Sequence, residues 1–444
     1  MKNNSEKILF KLIDSGFEAY YVGGCVRDKL RGVKSVDVDI ATNAKLKKIK
    51  ELFPKARIVG EAFSVALVDN VEVATFRQDG PYSDFRHPDY VKFVSSIEED
   101  LSRRDFTVNA MAEDWEGKII DLFGGQEDLK NKTIKFVGEP EQRITEDPIR
   151  ALRACRFAAL IGGKIEPASK KAILDLHNLL ENVAKERIQL ELNKILLLED
   201  REKALFMLEE LKLLHNVLPE LSKSINEPQN YYHSEDCWVH AVKSTQAVKK
   251  KNLKLLLAAL LHDVAKPISR TKDENGVDHF YGHEVMGEEL VEKELRYLKY
   301  SKETIEYVKE ATRFHMSRLM FVKEMRDSTV RRLMSKLKYL PVRDLLRIQI
   351  ADMRGNLREP YSLSEQLELM KYALGRIREI EAKDYALKIT DLAINGKDIM
   401  EELGIPAGRE VGKILKNCFE KVLQNPELNE RETLLELIKN GVME

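Results

Sequence analysis

Val22-Gly23-Gly24-Cys25-Val26-Arg27-Asp28, followed thirteen residues after Gly24 by Asp37-Val38-Asp39, is the stretch on which the fold class turns. Tyr20-Tyr21-Val22 has strand composition, and paired glycines let the chain turn tightly and bring backbone N–H groups toward a triphosphate. Arg27 follows closely enough to grip the phosphates. Residues two apart in a strand share a face, so an extended Val36-Asp37-Val38-Asp39-Ile40 sends both aspartates one way and the three apolar residues toward a core. Two carboxylates at one spot repel unless a hard cation sits between them, and Mg²⁺ held by carboxylates and phosphate oxygens meets that need. Two such ions would activate an attacking hydroxyl and stabilise a leaving pyrophosphate. Gly-Gly alone is a turn and Asp-x-Asp alone is a solvated strand face. Together, at this spacing, they predict nucleotidyl transfer.

Bulk composition sets the frame. A chain of 444 residues is long enough for two to four domains. With 73 Lys and Arg against 74 Asp and Glu, net charge announces no nucleic-acid partner, so any basic surface must be a local patch. Lys249-Lys250-Lys251 with Lys254, and the run containing Arg326, Arg331, Arg332, Lys336 and Lys338, are such patches, and read equally well as solvated helix faces. Cys25, Cys155, Cys237 and Cys418 lack metal-like or disulfide-like spacing, which predicts a reducing compartment. The apolar run Leu255 to Leu261 is too short to span a bilayer, and the N-terminus lacks the apolar core of a signal peptide. A soluble, cytoplasmic protein with no membrane partner is expected; oligomeric state is not legible.

Twelve of the 22 glycines fall in the first 163 residues and none between Lys164 and Asn275, dividing a turn-rich α/β head from a helical remainder. Strand-like runs occupy Arg57 to Val59, Ser64 to Val68, Val71 to Phe76 and Val91 to Val94, with helices at 3–15 and 43–53. Helical patterns follow at Asp147 to Leu160, Ala168 to Asn182, Glu186 to Leu198 and Arg201 to Leu211. The loop Ser222 to Asn230 is the best boundary before a second module.

Glu72, off the apolar face of Val71 and Val73, reads alone as an exposed strand residue, and becomes a third carboxylate if its strand neighbours Asp37 and Asp39. Arg103, Arg104, Asp105 and Asn109 lie within seven residues and suit triphosphate binding, a ribose hydroxyl and a fixed loop. In Glu146-Asp147-Pro148-Ile149-Arg150, Asp147 is a good N-cap and Pro148 a good first helical residue. Asp147 with Arg150 offers acceptors and donors that suit the Watson–Crick edge of a base, in place of a nucleic-acid template. Read without the head motifs, the segment is a capped surface helix.

The Gly-Gly and Asp-x-Asp segments, Arg103-Arg104-Asp105-Phe106-Thr107 with Asn109-Ala110, the turn Asp121 to Leu129, Glu146-Asp147 with Arg150, and Glu186-Arg187-Ile188 with Glu191 and Lys194 resemble, in order, the motif set of class II tRNA nucleotidyltransferases over roughly residues 10–215. The resemblance implies a CCA-adding enzyme of the polymerase-β-like superfamily: an α+β nucleotidyltransferase head (1–140), an all-α neck (141–225), an HD-type body (226–358) and a helical tail (359–444). It implies Mg²⁺ on Asp37 and Asp39, triphosphate on Gly23, Gly24, Arg27 and Arg104, and ribose near Arg104 to Asn109, Asp105 included. Asp147 and Arg150 would select CTP and then ATP, with Arg153 and Arg156 supporting the nucleotide and tRNA as acceptor. Gly124-Gly125 would be a hinge, and Gln78 to Ser95 the loop that switches from C to A addition.

His240, His262-Asp263, His283, His315 and Asp352 form a second constellation. His262 and Asp263 end the apolar helix Leu253 to Leu261, and burying an imidazole beside a carboxylate is costly unless partners such as a divalent metal are supplied. The order resembles HD-domain phosphohydrolases, which implies His240, His262, Asp263 and Asp352 as ligands, with His283 and His315 as further ligands or phosphate contacts. The metal's identity is unspecified, and the implied activity is hydrolysis of a phosphomonoester or 2′,3′-cyclic phosphate on RNA ends or nucleotides. Leu403 to Arg409 open a helix to Leu423 that would grip tRNA backbone or serve as an ordinary loop and cap. The expected function is template-independent CCA addition. An A-adding enzyme, a poly(A) polymerase, and an RNA-binding or nucleotide-sensing protein with a dead transfer site are the alternatives.

Overall fold

The computed structural model describes residues 2–441 apart from 36, 61–63, 230–234, 318, 320–325, 357–361 and 384. It divides into two compact units, Met1–Pro219 and Glu220–Glu444, a few residues before the predicted Ser222–Asn230 boundary, whose last residue lies outside the described set.

In the first unit a helix α1 (Lys2–Asp14) leads into β1 (Ala19–Val22), α2 (Gly24–Leu30), β2 (Asp39–Thr42), α3 (Leu46–Leu52), β3 (Arg57–Gly60), β4 (Val65–Val68) and β5 (Val71–Thr75). The hairpin β6 (Arg77–Asp79) and β7 (Val91–Phe93), α4 (Ile97–Ser102), β8 (Met111–Glu113) and β9 (Ile119–Asp121) complete the head. Seven strands form one mixed sheet in the order β3-β4-β5-β2-β1-β8-β9. Only β2 and β5 are parallel; the other pairs are antiparallel. Strand alternation makes the sheet two-sided. Ile40 and Val73 join Ile8, Leu9 and Leu12 of α1 on one face, while Val22, Ala41 and Ala112 meet Phe76, Ile97 and Leu101 on the other.

The predicted strand over 36–40 begins only at Asp39, so Asp37 and Val38 precede it, and Val36 lies outside the described residues. Val38 lines an open cavity with Cys25, Phe10 and Trp115 instead of joining the core. Strands β8 and β9 were not legible: three residues each, they carry little periodicity, and pairing supplies what composition lacks.

α5 (Gly125–Lys130) follows, and Gly125 packs so closely that a Cβ would lie 2.3 Å from the Thr107 carbonyl. The neck comprises α6 (Pro140–Glu146), α7 (Ile149–Leu160), α8 (Pro167–Leu176), α9 (Lys185–Leu196) and α10 (Arg201–Glu210). It is not all-α as expected, because Lys164–Ile165 pairs in parallel with Thr133–Ile134 after the Gly162-Gly163 turn. The expected helix Ala168–Asn182 ends at Leu176 and continues as a 3₁₀ segment.

The second unit is mainly helical, with one short hairpin, Thr271–Lys272 with Asp278–His279. The Leu253–Leu261 helix is buried on every side from Leu255 onward, which is why its sequence shows no polar face. No described helix is long and apolar enough to cross a membrane. Glu294, on the helix His283–Tyr297, is buried; its Oε2 accepts the Glu220 N–H at 2.8 Å, while Oε1 has no partner among the described residues. Burial pushes its carboxyl up to about 8, against the backbone N–H groups of Glu220 and Leu221. The folded protein therefore binds this proton more tightly than the unfolded chain, and stability present at low pH is lost as pH rises from about 4.5 to about 8. Glu294→Gln should flatten that slope in thermal unfolding measured between pH 5 and 8.5.

Candidate functional site

Gly23 closes β1 with φ 71°, and a Cβ there would lie 2.7 Å from Arg104 Nη1, so only glycine lets this turn and that guanidinium coexist. Behind the turn, Arg27 Nη1 donates to Asn109 Oδ1 (2.7 Å), Asn109 Nδ2 to Asp105 Oδ1 (3.0 Å), and Arg153 Nε to Asp105 Oδ2 (2.8 Å). Burial alone would raise the Asp105 carboxyl, but Arg153 and the Asn109 amide outweigh it and hold it at about 2. The guanidiniums of Arg27, Arg153 and Arg156 lie 5.0, 5.3 and 4.0 Å from the Phe157 ring centroid, and Arg156 also pairs with Glu191. Positive charge thus converges on the glycine turn from both the head and α7.

The parallel register pairs Asp39 with Glu72, so the condition set for a third carboxylate is met. Burial, then the charge of Glu72, pushes the Asp39 carboxyl up to about 6 against the pull of Arg104, with Asp37 adding a smaller push. Crowded, incompletely neutralised oxygen donors suit a hard divalent cation. Asp37 itself is exposed ahead of β2, and the tight clusters of three or more metal-donor residues among the described residues lie elsewhere.

The neck departs from its expected capping. α7 starts at Ile149 with Pro148 as cap, and Asp147 ends α6. Freed from capping, both Asp147 oxygens receive Arg187 of α9, Nη1 to Oδ1 at 3.0 Å and Nη2 to Oδ2 at 2.8 Å. Arg150 turns to Glu146 Oε2 (2.6 Å) and the Arg143 carbonyl (2.9 Å), both through Nη1. Arg143 in turn bonds the Ser102 and Val137 carbonyls, and the Arg150 guanidinium lies 5.9 Å from the Tyr82 ring in the β6–β7 loop. Asp147 and Arg150 share a helix junction but are held by separate partners.

In the second unit the predicted histidines and aspartates do converge. His240, His262, Asp263 and Asp352 form one four-residue cluster, and Asp263, His283 and His315 a second that shares Asp263. His240 Nε2 lies 3.0 Å from Asp352 Oδ1, His262 Nε2 3.1 Å from Asp263 Oδ2, and His283 Nε2 3.2 Å from Asp263 Oδ1. Three rings turn Nδ1 to a carbonyl three residues back: His262 to Ala259 (2.9 Å), His283 to Phe280 (2.7 Å) and His315 to Thr312 (2.6 Å). This fixes the tautomer and aims the Nε2 lone pairs at the cluster centres, an arrangement that suits a divalent metal.

The sequence is similar to known proteins along its whole length. Residues 19–135 match the family model "Poly A polymerase head domain", 163–225 "Probable RNA and SrmB- binding site of polymerase A", and 283–438 "tRNA nucleotidyltransferase domain 2". The CCA-adding enzyme of Lactococcus lactis strain IL1403 is 31% identical over 98% of this chain and 96% of its own. That of Ligilactobacillus salivarius is 34% identical over 97% and 95%. Among solved structures, the Bacillus stearothermophilus CCA-adding enzyme in complex with CTP superposes with a TM-score of 0.70 at 26% identity, covering 99% of this chain and 97% of that one. Fold and site define a nucleotidyltransferase of the poly(A) polymerase head type. The chain belongs to the class II CCA-adding enzyme family.

Sequence reasoning assigned no role to Lys266, whose Nζ pairs with Asp263 Oδ2 (2.6 Å) and donates to Gln229 Oε1 (2.7 Å) while almost fully buried. Its signal was available: a lysine three residues after a buried aspartate. Tyr82 and Arg187 were likewise unassigned: the Tyr82 hydroxyl donates to nearby Asp79, but its ring contact with Arg150 and the Arg187 contact with Asp147 both join segments far apart in sequence. Asp105→Ala would strand Arg153 and Asn109; after discounting for the partial exposure of Arg153, a loss of about 2–3 kcal/mol is expected in denaturant unfolding.

Proposed function

We propose that this chain adds CCA to the 3′ end of tRNA, using CTP and then ATP without a nucleic-acid template. The observation that carries this reading is the meeting of the Gly23 turn, the Arg104 guanidinium and the Asp39–Glu72 register at the same end of the central strands β1, β2 and β5. Arg104 Nε is buried there with no partner among the described residues, as fits a donor awaiting an anion. Gly23, Gly24, Arg27 and Arg104 hold the triphosphate, and Asp105 and Asn109 order the loop beside the ribose. Asp37 and Asp39, with Glu72 beside them, would hold Mg²⁺, which supplies charge stabilisation for in-line displacement. Cytosine and adenine both present an exocyclic amine beside a ring-nitrogen acceptor, so one carboxylate and one guanidinium, Asp147 and Arg150, read both; uracil and guanine reverse the pattern. Residues 1–140 are then the transfer head, 141–225 the neck, 226–358 a hydrolase module and 359–444 a tRNA-contacting tail.

Labelled CTP and ATP, offered singly and together to tRNA transcripts ending before CCA, after C and after CC, test this at single-nucleotide resolution. Three additions stopping at CCA are expected, and Asp39→Ala should abolish them while tRNA binding persists. A added only to CC ends would make it an A-adding enzyme, and long A tails a poly(A) polymerase. Incorporation unaffected by Asp39→Ala would sink the assignment of the transfer site.

The two clusters sharing Asp263 favour a second activity, an HD-type phosphohydrolase acting on phosphomonoesters or 2′,3′-cyclic phosphates of RNA ends or nucleotides. Bound metal per chain, measured by elemental analysis, should fall in His262→Ala, and phosphate release should fall with it. Unchanged metal content would return these histidines to a purely structural role.

A further inference from the structure

We propose that Arg187 sets nucleotide specificity by pinning the Asp147 carboxylate, a role resting on the reading that Asp147 faces the base. The bidentate contact fixes both the position and the plane of the carboxylate. It uses about two of the four lone-pair directions and leaves the others as acceptors for a ligand. Both side chains stay partly open, 22% and 15% exposed, so the pair borders space a base can enter. Arg187 sits in the first turn of α9, whose cap, Ala184, contributes no side-chain bond. A cation there faces the positive end of the helix dipole, an unfavourable place for arginine, and its side-chain hydrogen bonds among the described residues go to Asp147.

The pinning matters because exclusion works by repulsion. An amine donor on cytosine or adenine gains a hydrogen bond from a carboxylate that is fixed or one that is free to turn. A uracil or guanine oxo group is rejected only if the carboxylate cannot rotate away from it, so fixing the carboxylate contributes more to rejecting the wrong base than to holding the right one. Arg150 provides the contrast. Both its bonds run through Nη1, leaving its other guanidinium N–H groups to donate, while Asp147 has no such freedom.

Arg187→Gln and Arg187→Lys are the test, read as kcat/KM for CTP against UTP on a tRNA lacking CCA, and as ATP against GTP on a CC end. Equilibrium binding of CTP and UTP to Asp39→Asn protein carrying the same substitutions gives a readout free of chemistry. The expected result is a fall of about tenfold or more in both discrimination ratios for Gln, a smaller fall for Lys, which offers a point charge without the fork, and matching changes in binding. Equal losses for both nucleotides, ratios unchanged, would overturn the proposal and leave Arg187 a structural brace. If Gln unfolds the neck, the Lys variant and the binding ratio decide. Asp147→Ala separates the two layers: if it leaves the ratios intact, the base-reading assignment falls; if it collapses them and neither Arg187 variant does, only the role of Arg187 falls.

Discussion

Asp105 is the carboxylate on which the transfer site hangs. Arg153 of α7 holds one oxygen, and the Asn109 amide, itself bonded to Arg27, holds the other. A single, largely enclosed anion thereby ties the strand-turn-helix of the head to α7 of the neck. Without it, Arg27, Arg153 and Arg156 would crowd the Phe157 ring with less opposing charge, that of Asp28, Glu191 and Asp147. Removing one member of a buried charge set leaves the rest uncompensated, so the network stands or falls together.

From that constraint the division of labour follows. The head supplies acidic oxygen donors and a glycine turn; the neck supplies guanidiniums and a pinned carboxylate. Guanidinium donors are either left open, as Arg104 Nε is among the described residues, or spent on holding elements together. Arg143 illustrates the second case, spending its donors on the Ser102 and Val137 carbonyls and Glu146 to hold α6 against the head. The second unit repeats the logic with softer donors. Carbonyls orient three imidazoles, two aspartates supply charge, and Lys266 is the cation nearest Asp263.

The class of the head could be read before any coordinates because its signals are local. Gly-Gly after a strand and strand alternation at Val71 to Thr75 each follow from backbone geometry within a few residues, whereas the expected shared strand face of Asp37 and Asp39 does not form because β2 begins only at Asp39. The histidines were legible for a different reason: imidazoles next to a wholly apolar helix cannot be buried without partners. Capping at Asp147 was misread by the same local logic. An aspartate before Pro148 satisfies the N-cap preference, but that preference is worth about 1 kcal/mol, and a bidentate ion pair from a helix forty residues later outweighs it.

Local chemistry, then, was carried by the residues in order: the glycine turn, the carboxylate pair, the arginine-rich helix, the six-residue constellation of the body. Tertiary structure alone decided which of them meet. The parallel pairing of β2 with β5 brings Glu72 beside Asp39 across thirty-three residues, and no periodicity within either strand states that register. The partner of Asp147 was set in the same way, by how α9 packs beside the α6–α7 junction. A hydrogen bond or ion pair between distant segments depends on the path of the whole chain, which is the sum of many weak preferences, whereas a turn or a strand face depends on only a few dihedral angles.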